Sequence, residues 1–231
     1  MAHQSMAKMI TAKALKRPTR LVDDVYNAIY GQLMSLKIPP GGRVSVDSLV
    51  REFGVSQTPI REALSRLEAQ GLVVKTHLIG YRAAGQIDYD RFQHLYEMRL
   101  LLEPFAAAQA AQKLNHEALA SLKRIDKTMQ KMEGQLAHAA YSEFARHDGN
   151  FHDQIAKASG NTILCEALAR LHTHVHLFRL HYHSRATTAA NAEHARVLDA
   201  IAARDPQAAE AAMRDHIRLS RDRFITIFAP R

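Results

Sequence analysis

The spacing of helix-breaking residues constrains this chain more than any other feature of its sequence. From residue 88 to 229, apolar residues recur with the helical period, and the clearest breaks are Asn115, Gly160 and Asp205-Pro206. Long amphipathic helices must bury their apolar stripes against one another, and consecutive ones pack antiparallel. The pattern therefore predicts an all-α antiparallel bundle of about six helices, at residues 88–112, 116–137, 140–159, 161–183, 188–204 and 206–228.

The first third of the chain has much closer breaks. Prolines and glycines interrupt it at residues 39–42, at Gly54 and at Gly71. Between these breaks the sequence predicts helices at 21–36, 46–53 and 59–70, and then two short strands at 72–75 and 81–84. Helix, helix, turn, helix and hairpin is the order of a winged helix-turn-helix. The predicted fold is mainly α, with a winged helix-turn-helix at residues 19–85 and the bundle at 86–231.

Charge and composition narrow the function classes. The net charge is +8, and residues 1–84, with 12 Lys/Arg against 6 Asp/Glu, hold +6 of it, as expected of a part that meets a polyanion. A single cysteine, Cys165, excludes an intrachain disulfide and fits a reducing compartment. No stretch has the length of a membrane span or the form of a secretory signal, so we expect a cytoplasmic protein with no membrane partner.

Residues 1–18 are polar and basic and end at Pro18, and they are predicted to form a flexible arm. The arm either contacts DNA phosphates or only aids solubility, and the sequence does not separate these two possibilities.

The segment FGVSQTPIREALSRLEAQGLV at residues 53–73 closely resembles the helix-turn-helix of the GntR family of transcription regulators, and residues 40–42 resemble the Pro-Gly turn of that family. The resemblance covers residues 21–84. It implies that double-stranded operator DNA is contacted by Ser56, Gln57, Thr58, Arg61 and Arg66, and by a wing around His77 and Gly80. The family usually has arginine where this chain has Gln57, which favours adenine where arginine would favour guanine.

The residue chemistry supports the same reading. Ser56, Gln57 and Thr58 fall at the start of a predicted helix, where free N–H groups and the helix dipole favour phosphate. Arg61 lies one turn further, away from the apolar stripe. The alternative is an ordinary solvated helix face.

The later part of the chain resembles the FCD effector domain of the FadR branch of the same family, and six helices would place it near the VanR-like subgroup. The motifs are DGNFH at 148–152, EH at 193–194 and MRDH at 213–216. In metal-binding members an aspartate and three histidines hold a divalent ion, and the resemblance implies Asp148, His152, His194 and His216.

The spacing of these residues suits metal binding. Asp148 and His152 are four residues apart and share a helix face, and one carboxylate with three imidazoles suits Zn²⁺, Ni²⁺ or Mn²⁺. The alternative is that each histidine is a surface or hydrogen-bonded core residue. A second cluster, at His172, His174, His176, His181 and His183, is interpreted as solvent-facing or interfacial, with one member open to lining the pocket.

Arg99, in the segment EMRLLLE, is the predicted effector-binding residue. The resemblance implies that it holds an anionic effector, and a guanidinium suits a carboxylate. The alternative is a structural ion pair with Glu97 or Glu103.

Together these features predict a homodimeric repressor, not an enzyme, whose DNA affinity responds to a small organic acid at the metal site. Three alternatives stay open: a regulator that senses the metal itself, an FCD domain with incidental histidines and no metal, and a metalloenzyme.

Overall fold

The structure is a computed structural model that describes residues 19–77, 80–133, 138–180 and 184–228. The predicted arm at 1–18 lies outside the described residues. The N-terminal elements, called the head below, are helices α1 (Thr19–Met34), α2 (Val46–Phe53) and α3 (Gln57–Ala69) and strands β1 (Arg43–Val44), β2 (Val73–Thr76) and β3 (Gly80–Ala83). This order confirms the predicted winged helix-turn-helix.

Local chemistry sets the ends of the head helices. The Ser45 side chain accepts a hydrogen bond from the Ser48 amide and caps α2, which ends at Gly54 in the left-handed conformation. Strand β1 is a finding that the sequence did not predict, because it is only two residues long. It pairs antiparallel with β3, which also pairs with β2, so the strand order is β1-β3-β2.

The remaining helices, called the bundle below, are α4 (Tyr89–Lys113), α5 (His116–Gln130), α6 (His138–Ala158), α7 (Thr162–Leu171), α8 (Thr173–Leu180), α9 (Ser184–Ala202) and α10 (Pro206–Ile225), followed by a 3-10 turn (Thr226–Phe228). Helix α4 packs on α6, α9 and α10, and α9 also packs on α10. The all-helical bundle is confirmed, and no helix in the described ranges is both long and apolar enough to cross a bilayer.

The helix count needs a correction. The predicted helix at 161–183 is two helices, because His172 takes a left-handed conformation with φ of 48° and ends α7. The described part of the bundle therefore has seven helices, and the count of six on which the VanR-like placement rested does not describe it. The predicted helix at 116–137 also ends earlier, at Gln130.

Candidate functional site

The DNA-reading residues predicted from the sequence meet at the start of α3. Ser56 is the N-cap residue, with extended backbone, and its side chain makes no capping hydrogen bond. Ser56, Gln57 and Thr58 are all exposed. The first amides of α3 and three polar side chains thus face outward together, as an anion-binding helix N-terminus requires.

Gln57 and Arg61 form a connected pair on the exposed face of α3. Arg61 Nη2 donates to Gln57 Oε1 at 3.2 Å, and Gln57 Nε2 donates to Asp47 Oδ1 of α2 at 3.1 Å. The opposite face of α3 is buried through Leu64 and Leu67. The buried face fixes the helix, and the polar pair is left exposed for a ligand outside the head.

Arg66 has a different environment. Its Nη1 lies 2.7 Å from Asp23 Oδ1, and its guanidinium stacks over the Tyr26 ring at 4.7 Å, so it packs against α1. His77 is exposed in the turn after β2, and Gly80 begins β3 with φ of 97°, a conformation that favours glycine. Residues 78 and 79, between them, lie outside the described residues.

Three basic residues of the wing sheet were missed by the sequence reasoning. Arg43 and Arg82 sit opposite each other on β1 and β3, and Lys75 lies on β2. All three are exposed. The alternation of Arg82 between the buried Tyr81 and Ala83 was a usable signal, whereas the pairing with Arg43 required the sheet.

The predicted metal-binding residues converge inside the bundle. Asp148 and His152 lie on α6, His194 on α9 and His216 on α10, and all four are buried. One ring nitrogen from each histidine lies within 4.8 Å of the others. Asp148 Oδ1 lies 3.4 Å from His194 Nε2.

The distance between Asp148 Oδ1 and His194 Nε2 fits a shared divalent ion. Two ligand atoms that are each about 2.1 Å from one ion lie about 3.4 Å apart at a tetrahedral angle. Neither ring nitrogen of His194 makes a hydrogen bond to any of the described residues, although both are buried. A buried imidazole without a hydrogen bond is costly unless something else binds it, and an ion is such a partner.

The environment keeps two of the histidines neutral. Burial lowers the pKa of His194 well below its usual value, and the neighbouring His216 lowers it further. Burial likewise lowers the pKa of His216, with His152 beside it. His152 differs: burial lowers its pKa, but Glu103 and Asp148 together bring it above its usual value. Metal binding needs the neutral ring, so His194 and His216 are already in the required form.

Two Glu–Arg pairs stand behind the histidines. His152 Nδ1 lies 2.5 Å from Glu103 Oε2, and Arg99 Nε donates to Glu103 Oε1 at 2.6 Å. Burial raises the pKa of Glu103, but Arg99 and His152 together hold it well below its usual range.

On the other side, His216 Nδ1 lies 2.9 Å from Glu193 Oε2, and Arg223 binds both oxygens of Glu193. Arg99 thus forms the ion pair with Glu103 that the sequence left open. The Arg223–Glu193–His216 contact was missed, because its members are distant in sequence.

Two cavities adjoin this cluster. The smaller, of about 20 Å³, touches Arg99, Asp148 and His216, and Leu177 of α8 also lines it. The larger, of about 210 Å³, lies between head and bundle, with Glu103 and His152 on one side and Tyr26 and Tyr30 of α1 on the other. Their remaining lining residues include Ala190, Ser220, Arg223 and Phe224 for the first and Gln70, Arg146, Asn150 and Thr173 for the second.

Of the second histidine cluster, His172 and His176 are described, and both lie near the head–bundle boundary. His172 lines the larger cavity, and a Cβ added to Gly71 of the head would come within 2.8 Å of its ring. His181, His183 and the side chain of His174 lie outside the described residues.

Helix α8 also binds the segment that joins head to bundle. The buried Arg179 donates from Nη2 to the Ala84 carbonyl at 2.7 Å, and Gln86 Nε2 donates to the Arg179 carbonyl at 3.0 Å. Leu177, which contributes to the wall of the small cavity, is two positions from Arg179 on α8.

Comparison with known proteins assigns both parts of the chain. Residues 94–219 match the FCD domain, and residues 21–82 match the bacterial regulatory proteins of the gntR family. The HTH-type transcriptional regulator LutR of Bacillus subtilis is 32% identical, over 78% of this chain and 90% of its own length.

A probable D-xylose utilization operon transcriptional repressor of Paenarthrobacter nicotinovorans is 27% identical, over 90% of this chain and 89% of its own. The solved structure of McbR/YncC from Escherichia coli has the same fold, with a TM-score of 0.69 at 20% identity, covering 90% of this chain and 99% of that one. The chain therefore belongs to the GntR family, in its FCD-containing FadR-like branch, and is a DNA-binding transcription regulator rather than an enzyme.

Proposed function

We propose that this regulator is a homodimeric repressor whose affinity for double-stranded operator DNA is controlled by a small organic acid bound at a divalent metal in the bundle. The observation that carries the proposal is the convergence of three buried histidines and Asp148 beside Arg99. The relative from Paenarthrobacter, named as a probable repressor of a D-xylose utilization operon, supports repression rather than activation.

In this proposal the working division of the chain is an arm at 1–18, a DNA-binding domain at 19–85 and an effector and dimerisation domain at 86–231. Ser56, Gln57, Thr58 and Arg61 contact the operator from the start of α3. Arg66, His77 and Gly80 complete the contact surface at the end of α3 and in the wing. A bacterial regulator meets its operator DNA in the cytoplasm, and the proposal places the protein there.

The metal ligands are Asp148, His152, His194 and His216, and the donor set suits Zn²⁺, Ni²⁺ or Mn²⁺. A bound divalent ion would supply a Lewis-acidic anchor for a carboxylate. Arg99 lines the small cavity beside Asp148 and His216, so a carboxylate bound there would lie next to its guanidinium while Glu103 holds the Nε side.

The size of that cavity indicates how a ligand bound in the bundle would affect the head. About 20 Å³ holds one water molecule, and an organic acid must therefore displace a wall. Leu177 is one of those walls, and the same helix holds Ala84 through Arg179. A ligand that moves α8 changes the position of the head, and its effect on DNA affinity is limited to its preference between the two arrangements.

The dimer places two recognition helices on one operator. Met98, Leu101 and Phe105 are exposed on one face of α4, and Leu101 is 69% exposed. Three large apolar side chains at this spacing form a stripe that a second copy of the chain would cover. Leu101→Glu is expected to give monomers by light scattering at concentrations where wild type is dimeric, while Leu21→Glu, at an exposed leucine of the head, leaves the dimer intact.

The effector proposal is tested by measuring operator affinity with zinc-loaded protein and a panel of organic acids. We expect an acid that weakens operator binding in wild type and has a smaller effect in Arg99→Lys, which keeps a positive charge for Glu103, with both proteins saturated with zinc. His194→Ala should lose zinc and the acid response together, while His116→Ala, at an exposed histidine, should retain both. If no acid changes operator affinity in zinc-loaded wild type, the organic effector is excluded.

The small cavity also favours a second candidate, a regulator that senses the metal itself, because about 20 Å³ beside Asp148 and His216 is large enough for an ion and too small for an organic acid. In that case operator affinity follows the free zinc concentration at constant metabolite. Measuring operator affinity as a function of free zinc, without organic acid, separates the two candidates.

A further inference from the structure

The two carboxylates behind the metal cluster occupy equivalent positions. Glu103 of α4 and Glu193 of α9 are both buried, and each faces the Nδ1 atom of one predicted ligand histidine. Each is also bound by an arginine, Arg99 or Arg223. The cluster is thus flanked by two relays of the same composition, His–Glu–Arg, built from different helices.

An ionised carboxylate accepts hydrogen bonds and donates none, so the histidine that it contacts must carry its proton on Nδ1. In a neutral imidazole this leaves the lone pair on Nε2, at the opposite side of the ring. The ring is also fixed in rotation, because the Nδ1 contacts of His152 and His216 span 2.5 and 2.9 Å.

A buried carboxylate needs a counter-charge, since burial without one is costly. The bidentate grip of Arg223 on Glu193, at 2.5 and 2.9 Å, and the Arg99 contact to Glu103, at 2.6 Å, supply it. The arginines thereby hold both carboxylates in place against the two imidazole rings.

We propose that Glu103 and Glu193 are positioning residues for the metal site, which hold His152 and His216 through Nδ1 with Nε2 directed to the ion, and that Arg99 and Arg223 hold the two carboxylates in place. The inference rests on the proposed metal site. It also gives Arg99 a role that does not depend on the organic effector.

The third histidine provides an internal contrast. His194 makes no hydrogen bond to the described residues, and its ring is held by packing on Phe151 at 4.7 Å between centroids and by Asp148. The relays therefore act on two of the three ligands.

The test compares Glu103→Gln and Glu193→Gln with Glu210→Gln. Glu210 pairs with Arg214 on α10 and is a matched control, because it is a glutamate in an Arg pair with no histidine contact in the described structure. Zinc dissociation constants are measured by competition with a chromophoric chelator. Loss of such a partner typically weakens metal binding 10- to 100-fold. We expect that loss in the first two variants and about the wild-type constant in the control.

A second readout separates positioning from general loss of structure. Imidazole ¹⁵N NMR of the metal-free protein should show His216 as the Nδ1–H tautomer in wild type, and a shifted His216 signal in folded Glu193→Gln. Glu103→Gln leaves Arg99 buried without its partner, so Glu193→Gln alone decides the test if Glu103→Gln does not fold.

The inference is overturned by a wild-type zinc constant in Glu193→Gln, or by an Nε2–H tautomer of His216 in wild type. Failure of the proposed function has a different signature: wild-type protein that takes up no zinc, nickel or manganese removes the metal site itself.

Discussion

The head and the bundle place their polar side chains in opposite environments. The head buries aliphatic side chains, among them Ile29, Ile60 and Leu64 at 0% exposure, and displays its polar residues on the surface. The bundle buries Arg99 and Glu103 together with the aspartate and histidine cluster. A head that binds a polyanion needs exposed donors on a rigid support, whereas a site for a small ligand needs ligands removed from water.

The contrast has an energetic side. In the head, stability rests on burial of apolar area, and its exposed ion pairs contribute little. In the bundle, Arg99, Glu103 and Glu193 are each buried against a partner of opposite charge, so removal of one partner leaves the other uncompensated. We therefore expect the head to be destabilised most by substitutions that leave a cavity, and the bundle by substitutions that leave a buried charge unpaired.

The substitution with the largest expected effect destabilises the head and leaves the bundle folded. Leu64→Ala removes a fully buried side chain of α3 and should cost about 2–5 kcal/mol of the free energy of unfolding. Hydrogen exchange should then show opening of the head, with loss of operator binding, while zinc affinity stays at the wild-type value. Val74→Ala, at an exposed position of β2, is the control, and a matching loss of zinc would contradict the separation.

Arg61→Ala tests the surface chemistry of the head without touching its core. It should cost about 1–3 kcal/mol of operator affinity, because a side chain at the recognition helix is lost. Fluorescence anisotropy with a selected operator duplex measures it, and Arg218→Ala, at an exposed arginine of the bundle, should leave affinity unchanged. Wild-type affinity in Arg61→Ala would mean that another surface reads the DNA.

The boundary between the two regions should respond to pH. Burial lowers the pKa of His176 to about 4, and Arg91, His172 and Arg179 lower it in the same direction. Because the unfolded histidine titrates near 6.5, the stability from the neutral ring is present above about pH 6.5 and is lost as pH falls toward 4.

His176→Gln should therefore reduce the loss of unfolding free energy between pH 7 and pH 5 by about 1 kcal/mol, a value discounted for the partial exposure of the ring. Urea titrations at both pH values measure it, with His116→Gln as the control. Equal pH dependence of the unfolding free energy in wild type and His176→Gln would show that this histidine does not contribute to it.

The smallest effect concerns Arg66. Its pair with Asp23 is half-exposed, so Arg66→Ala should change the free energy of unfolding by at most about 1 kcal/mol. Because Arg66 is already engaged with α1, we expect a smaller loss of operator affinity than in Arg61→Ala. An equal or larger loss would show that Arg66 leaves Asp23 to bind DNA.

The sequence predicted the head well because its signals are local. Gly54 and Gly71 mark where helices end, and Ser45 and Ser56 mark where they begin, all within a few residues of the structure they control. It failed at His172, where the apolar period continues but the backbone turns left-handed, and at β1, which exists only through its pairing with β3. The β1 pairing joins Arg43 to Arg82, which are distant in the chain.

The sequence by itself determined the two-part architecture and the residue types of the candidate metal site, because helical period, breaks and i,i+4 spacing are properties of neighbouring residues. Only the tertiary structure decided which carboxylate faces which imidazole. Glu103 meets His152 across 49 positions and Glu193 meets His216 across 23, and packing of separate helices alone brings such groups within hydrogen-bond distance.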